Sequence, residues 1–69
     1  MQLNDMQMKK ILDQGFLTRS RIETETAMKK CQMYNEMAQN ADVKGFFEEQ
    51  AKGLEDVLGY FSKGMAELQ

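Results

Sequence analysis

The stretch AQNADVK, residues 38–44, holds the clearest interruption in a chain of 69 residues without proline. Asn40 has the short polar side chain that ends one helix, and Asn40 or Asp42 can cap the next by accepting hydrogen bonds from its free backbone amides. A tight helix–helix turn is predicted here. On its C-terminal side Phe47, Ala51, Leu54, Leu58, Phe61, Met65 and Leu68 follow alternating steps of four and three. On its N-terminal side Leu17, Ser20, Thr24, Ala27, Cys31, Tyr34, Ala38 and Ala41 alternate three and four. Each run places its small and apolar side chains on one face of a helix. Joined by a short turn, the two helices pack antiparallel, so the predicted fold is all-α and its unit is a helical hairpin.

Further upstream, Asn4 and Gln7 have the spacing of a capping box, and Met8, Ile11 and Leu12 supply a short apolar face. The predicted single domain, residues 1–69, therefore has helical segments over about 4–14, 17–39 and 42–67. Gly15 destabilises a helix by roughly 1 kcal/mol relative to alanine, which permits a break without requiring one. A continuous helix from residue 5 to 40 would measure about 54 Å, against about 39 Å for residues 42–67. The overhang either folds back at Gly15, giving a monomeric three-helix bundle, or reaches across a partner subunit.

A second stripe bears on that choice. Phe46, Gln50, Gly53, Val57, Tyr60 and Gly64 repeat the steps of four and three beside the first seam, and Ile22, Thr26, Met33 and Met37 do much the same in the preceding helix. Two adjacent stripes are wider than one partner helix covers, which points to two hairpins pairing into a four-helix bundle. The expected interface residues are Met33, Met37, Phe46, Gly53, Val57 and Tyr60. Gly53 and Gly64 would admit the close approach of another backbone, though in water small residues are a weaker association signal than in membranes.

Size leads the same way. A chain this short buries only about 60% of its unfolded surface and needs some further source of stability. Cys31 is the single cysteine and there is no histidine, so an intrachain disulfide and the usual zinc spacings are excluded. Oligomerisation, as a homodimer, is left. The alternative is an adaptor whose groove takes a helix of another protein; the seven methionines, with flexible thioethers, suit such a surface. No apolar run approaches the ~20 residues of a membrane span, and residues 1–13 lack the order of a signal peptide, so a soluble, cytoplasmic protein is expected.

The net charge is −2, and Lys9, Lys10, Arg19, Arg21, Lys29 and Lys30 are spread out without interleaved aromatics. Nucleic acid is not an expected partner. Residues 1–34 carry six basic and four acidic side chains, residues 35–69 three and seven, so neutralisation between the two halves of a hairpin or dimer is expected.

The stretch YNEMAQNADVKGFFEEQAKGLEDVLGYF, residues 34–61, resembles the second half of a ferritin-like, rubrerythrin-type hairpin: an aromatic, a small-residue turn, Phe-Glu-Glu, an alanine and a closing aromatic pair. It is also similar to the spore coat protein F family and to short uncharacterised hairpin families of spore-forming bacteria, which implies a bacterial, spore-associated setting. Active ferritin-like proteins hold two irons with a Glu-x-x-His pair on the inner helix face. Aligned on Phe47, Glu48, Glu49 and Ala51, the resemblance puts Leu54 and Val57 at those two ligand positions and Ala27 at that of the helix-pair Glu. The seams themselves contain no Asp or Glu, so Glu23, Glu25, Glu36, Glu48, Glu49, Glu55 and Asp56 are expected mostly to face outward.

Other chemistry finds no support in the residue types. Ser20, Ser62 and Cys31 have no histidine to activate them, and no glycine-rich loop follows a strand to cradle phosphate. Cys31 on the seam reads as a small apolar filler. The expectation is a protein without cofactor, metal or catalytic activity, serving as a helical self-association or protein-interaction module in a structural or spore-associated role. A degenerate carboxylate metal protein on the same frame is the remaining alternative.

Overall fold

A computed structural model describes the backbone of residues 3–68 and the side chains of these except Met65, Glu67 and Leu68. Two helices make up the fold: α1, Asp5–Met37, and α2, Ala41–Leu68. At the start of α1 the Gln7 amide donates to Asn4 Oδ1 at 2.7 Å, and the Asn4 amide donates to Gln7 Oε1 at 3.1 Å. This reciprocal pair is the predicted capping box, and Asp5 adds a negative charge beside the positive end of the helix dipole.

From there α1 runs 33 residues without a break. The segments predicted over 4–14 and 17–39 are one helix, there is no fold-back at Gly15, and the three-helix monomer is not adopted. The reason is cooperativity: one glycine withdraws about 1 kcal/mol, whereas breaking the helix would require a second nucleation. α1 ends earlier than predicted, at Met37; Ala38 turns extended, with ψ at 140°, while its amide still donates to the Tyr34 carbonyl.

Asn40, rather than Asp42, caps α2. Its Oδ1 accepts from the amides of Asp42 at 2.9 Å and Val43 at 3.2 Å. A second polar clasp closes the turn: Asn35 Nδ2 donates to the Lys44 carbonyl at 2.6 Å, and Lys44 Nζ donates to the Asn35 carbonyl at 3.0 Å. Beside it the rings of Tyr34 and Phe47 lie 5.2 Å apart, and Phe46 meets Phe47 edge-on at the same distance.

The register follows from two points. Tyr34 lies against Phe47 at the turn, and far from it a Cβ on Gly64 would sit 3.9 Å from Leu17 Cδ1. The helices are thus antiparallel. Along the seam, Leu17, Ser20, Thr24, Ala27 and Cys31 are half-buried opposite Phe47, Ala51, Leu54, Leu58 and Phe61. Three predicted members of the first seam depart from it: Tyr34 stands at its edge, exposed beside Phe47, Ala38 caps α1, and Ala41 opens α2, exposed. Met65 and Leu68 lie outside the described side chains. Among the described residues only Ala51 is buried.

Carrying this register outward brings Leu68 level with about Asp13, at one residue of α1 per residue of α2. Asp5–Leu12 therefore extends past the described end of α2 by about 12 Å. The hairpin with this overhang is a rod of 57 × 18 × 11 Å.

Candidate association surface

Leu17 and Asn35 are eighteen residues apart, about five helical turns, and both point at α2. From that direction Gln32 and Glu36 lie about 60° and 100° round α1 to one side, at 100° per residue. On α2, Glu48, Lys52 and Glu55 lie on the matching side, because all five line one shallow groove together with Asn35 and Ala51. This side of the hairpin is polar. Its ion pairs run along single helices: Arg21–Glu25 at 3.5 Å, Lys29–Glu25 at 3.3 Å and Lys52–Glu48 at 3.5 Å. The expected neutralisation of a basic helix by an acidic one does not take the form of ion pairs between α1 and α2 among the described residues.

The opposite side is apolar and two helices wide. Phe16, Ser20, Ala27, Cys31 and Tyr34 lie within about 100° of the α2 direction on that side of α1. Across the seam Phe46, Gly53, Val57 and Gly64 lie about 80–120° round α2 from Phe47, with Tyr60 at the rim near 140°. The large members are open to solvent: Phe16 is 63% exposed, Tyr34 42%, Phe46 56%, Val57 39% and Tyr60 76%. Among the described residues Gln50 is the large polar side chain between the two rows, and Glu23 borders the α1 row at about 120°.

The six expected interface residues therefore divide. Phe46, Gly53, Val57 and Tyr60 share the broad face. Met33 and Met37, with Ile22 and Thr26, turn about 140–200° away from α2 and occupy the outer side of α1. There Met33 is 46% and Met37 68% exposed. The second stripe of α1 is thus opposite its seam, not adjacent to it as that of α2 is. In their place stand Phe16 and Tyr34, eighteen residues apart and so on one line along the helix; that spacing is the sequence signal for them.

The candidate ligand positions are hydrocarbon in their surroundings too. Ala27 and Leu54 are half-buried on the seam, and Val57 belongs to the broad face. Of the acidic residues expected outside, Glu23, Glu36, Glu48, Glu49, Glu55 and Asp56 are exposed, and Glu25 is half-buried between Arg21 and Lys29. Among the described residues no group of three or more His, Cys, Asp or Glu side chains could hold a metal ion, and no helix is long and apolar enough to cross a membrane. What this surface offers is shape and apolar area. In comparisons with protein-family models, curated proteins and solved structures, the chain has no match.

Proposed function

We propose that this chain is a non-catalytic self-association module, in which two hairpins bury their broad faces to form a homodimeric four-helix bundle. The observation that carries this reading is the surface left over. The chain exposes 5758 Å² at a mass of 8.0 kDa. A compact monomer of that mass exposes about 4,450 Å², so roughly 1,300 Å² per chain is in excess. A standard protein–protein interface takes about 800 Å² from each partner, and obligate dimers take more. Native mass spectrometry of the untagged protein tests the reading and reports bound metal as well. A metal-free dimer is the expected species; a monomer, or two metal ions per bundle, would overturn it.

In this reading the ferritin-like frame is kept as a packing scaffold, with Leu54, Val57 and Ala27 in place of ligands. The role is then structural, in the bacterial and spore-associated setting that the resemblance implies. One observation favours a second use of the surface. The outer side of α1 carries Met8, Ile11, Ile22, Met33 and Met37, all 46–68% exposed, and the bundle would leave them uncovered. An adaptor would dock a helix of another protein there. Binding of a hydrophobic dye by the intact dimer, abolished by Met33→Ser with Met37→Ser, is the outcome that reading requires.

A further inference from the structure

We infer that the outer side of α1 is a second self-association face, on which α1 of one dimer packs antiparallel against α1 of the next, with Ile22 seated in the hollow beside the partner's Gly15. This inference rests on the broad-face dimer proposed above and adds a contact that joins such dimers. Two adjacent hollows lie on this side, away from α2. The lining of one includes Gly15, Thr18, Arg19 and Ile22; that of the other includes Leu12, Gly15, Phe16 and Arg19. Each set has the spacing i, i+3, i+4, i+7, the four residues that receive one side chain of a facing helix. Their centres are three residues apart, about 4.5 Å along the axis, which is a step between successive knobs on a helix. Gly15 belongs to both and keeps both open, since a Cβ there would meet nothing within 4 Å in the single chain. The knob is the chain's own Ile22, 52% exposed beside them.

The charges on the same side fit a second copy. Between Gly15 and Met33 the outer side carries Arg19, Glu23, Lys29 and Lys30. At 100° per residue Arg19, Lys30 and Glu23 stand about 20°, 40° and 60° past the outer line on one edge, and Lys29 stands on the other, held by Glu25 at 3.3 Å. Arg21 closes on Glu25, four residues on, at 3.5 Å, yet among the described residues no ion pair joins Arg19 to Glu23, which have the same spacing and order. In a twofold antiparallel pair the same edges of the two helices meet. With Gly15 level with the partner's Thr26, Ile22 enters the partner's first hollow and Arg19 comes within about 1.5 Å, along the axis, of the partner's Glu23. Symmetry makes that ion pair twice. Lys29 and Lys30 then lie level with the partner's Leu12 and Ile11, so their stems cover hydrocarbon. A parallel twofold pair would set Arg19 level with Arg19 and Lys30 level with Lys30, and such like-charge pairing is disfavoured.

Sedimentation equilibrium of the untagged protein, from micromolar to millimolar concentration, reads both contacts. One helix pair buries less than the broad face, so the expected result is a tight step to the dimer and a weaker step beyond it. Arg19→Glu brings like charges together in both reciprocal pairs and should raise the dissociation constant of the second step about tenfold, with the first step unchanged. Adding Glu23→Arg reverses each pair and should restore the second step. Ile22→Ala, which removes the knob, should weaken the second step while helicity stays at the parent's level. A protein that never exceeds the dimer mass would overturn the inference and leave the self-association standing. So would a second step that Arg19→Glu leaves untouched or that the double exchange does not restore. If Arg19→Glu abolishes the first step and Val57→Asp does not, the dimer itself is built on the outer side of α1, and the broad-face reading falls together with this one.

Discussion

Val57→Asp is the substitution on which the broad face stands or falls. Val57 is 39% exposed in the single hairpin, so the dimer removes that remainder from water, about 60 Å² of apolar surface, or about 1.5 kcal/mol per copy. The carboxylate that replaces it would enter an apolar strip without a partner, a further 1–3 kcal/mol or so by the measure of buried polar groups in proteins. Twofold symmetry repeats the change, for a total of about 5–9 kcal/mol. At 1.4 kcal/mol per decade the dissociation constant should rise by roughly four orders of magnitude or more. Met37→Asp, on the outer side of α1, makes the same chemical change away from this face. It places a negative charge in the last turn, against the dipole, and should weaken the protein by only about 0.5 kcal/mol per copy. Sedimentation equilibrium over a dilution series reads both constants. With a single buried residue among those described, a dissociated hairpin should also lose helix, so far-ultraviolet circular dichroism should fall in step with the mass. A Val57→Asp protein with the dimer affinity of its parent, or a Met37→Asp protein weakened more than Val57→Asp, would refute the assignment of the face.

The glycines give a paired test. A Cβ at either Gly15 or Gly53 meets nothing within 4 Å in the single chain, yet only Gly53 lies on the broad face. Gly15→Ala should therefore raise the stability of the dimer by about 0.5–1 kcal/mol per chain, seen as a higher melting temperature at fixed concentration, and Gly53→Ala should fall short of that gain. Equal gains would show that no second backbone comes near Gly53. At the turn, Asn40→Ala removes the acceptor of two amide hydrogen bonds and should destabilise the protein by about 1 kcal/mol in a denaturant titration, with Asn40→Asp close to the parent. If Asn40→Ala melts like the parent, the cap is dispensable.

The turn is legible in the sequence because its signals are local. Asn40 needs only the amides two and three residues ahead, and Asn4 with Gln7 needs only its own first turn. The seam is legible for a related reason: Phe47, Ala51, Leu54, Leu58 and Phe61 share a face by spacing alone. Whether the chain breaks at Gly15 is a competition between a single residue's propensity and the cooperativity of the whole helix, and spacing is silent on it. The association surface is legible only in part. Spacing places Met33 and Met37 on one line of α1, and Phe46, Gly53 and Val57 on one line of α2. Which of these lines come to the same side depends on how each helix is rotated against the other. That rotation is set by the packing of Leu17 near Gly64 and by the Asn35–Lys44 clasp, contacts between residues far apart in the chain.

The clasp has a kinetic side as well. Asn35 and Lys44 are nine residues apart, Tyr34 and Phe47 thirteen, and the strongest described interhelical contacts are gathered at this end. Closing so short a loop forfeits little chain entropy, and contacts this local form early in folding. Each further turn of helix then adds one pair of the seam, from Cys31 and Ala51 outward to Leu17 and Gly64. The expected order is therefore zipping from the turn, with the open end of the rod the last part to form.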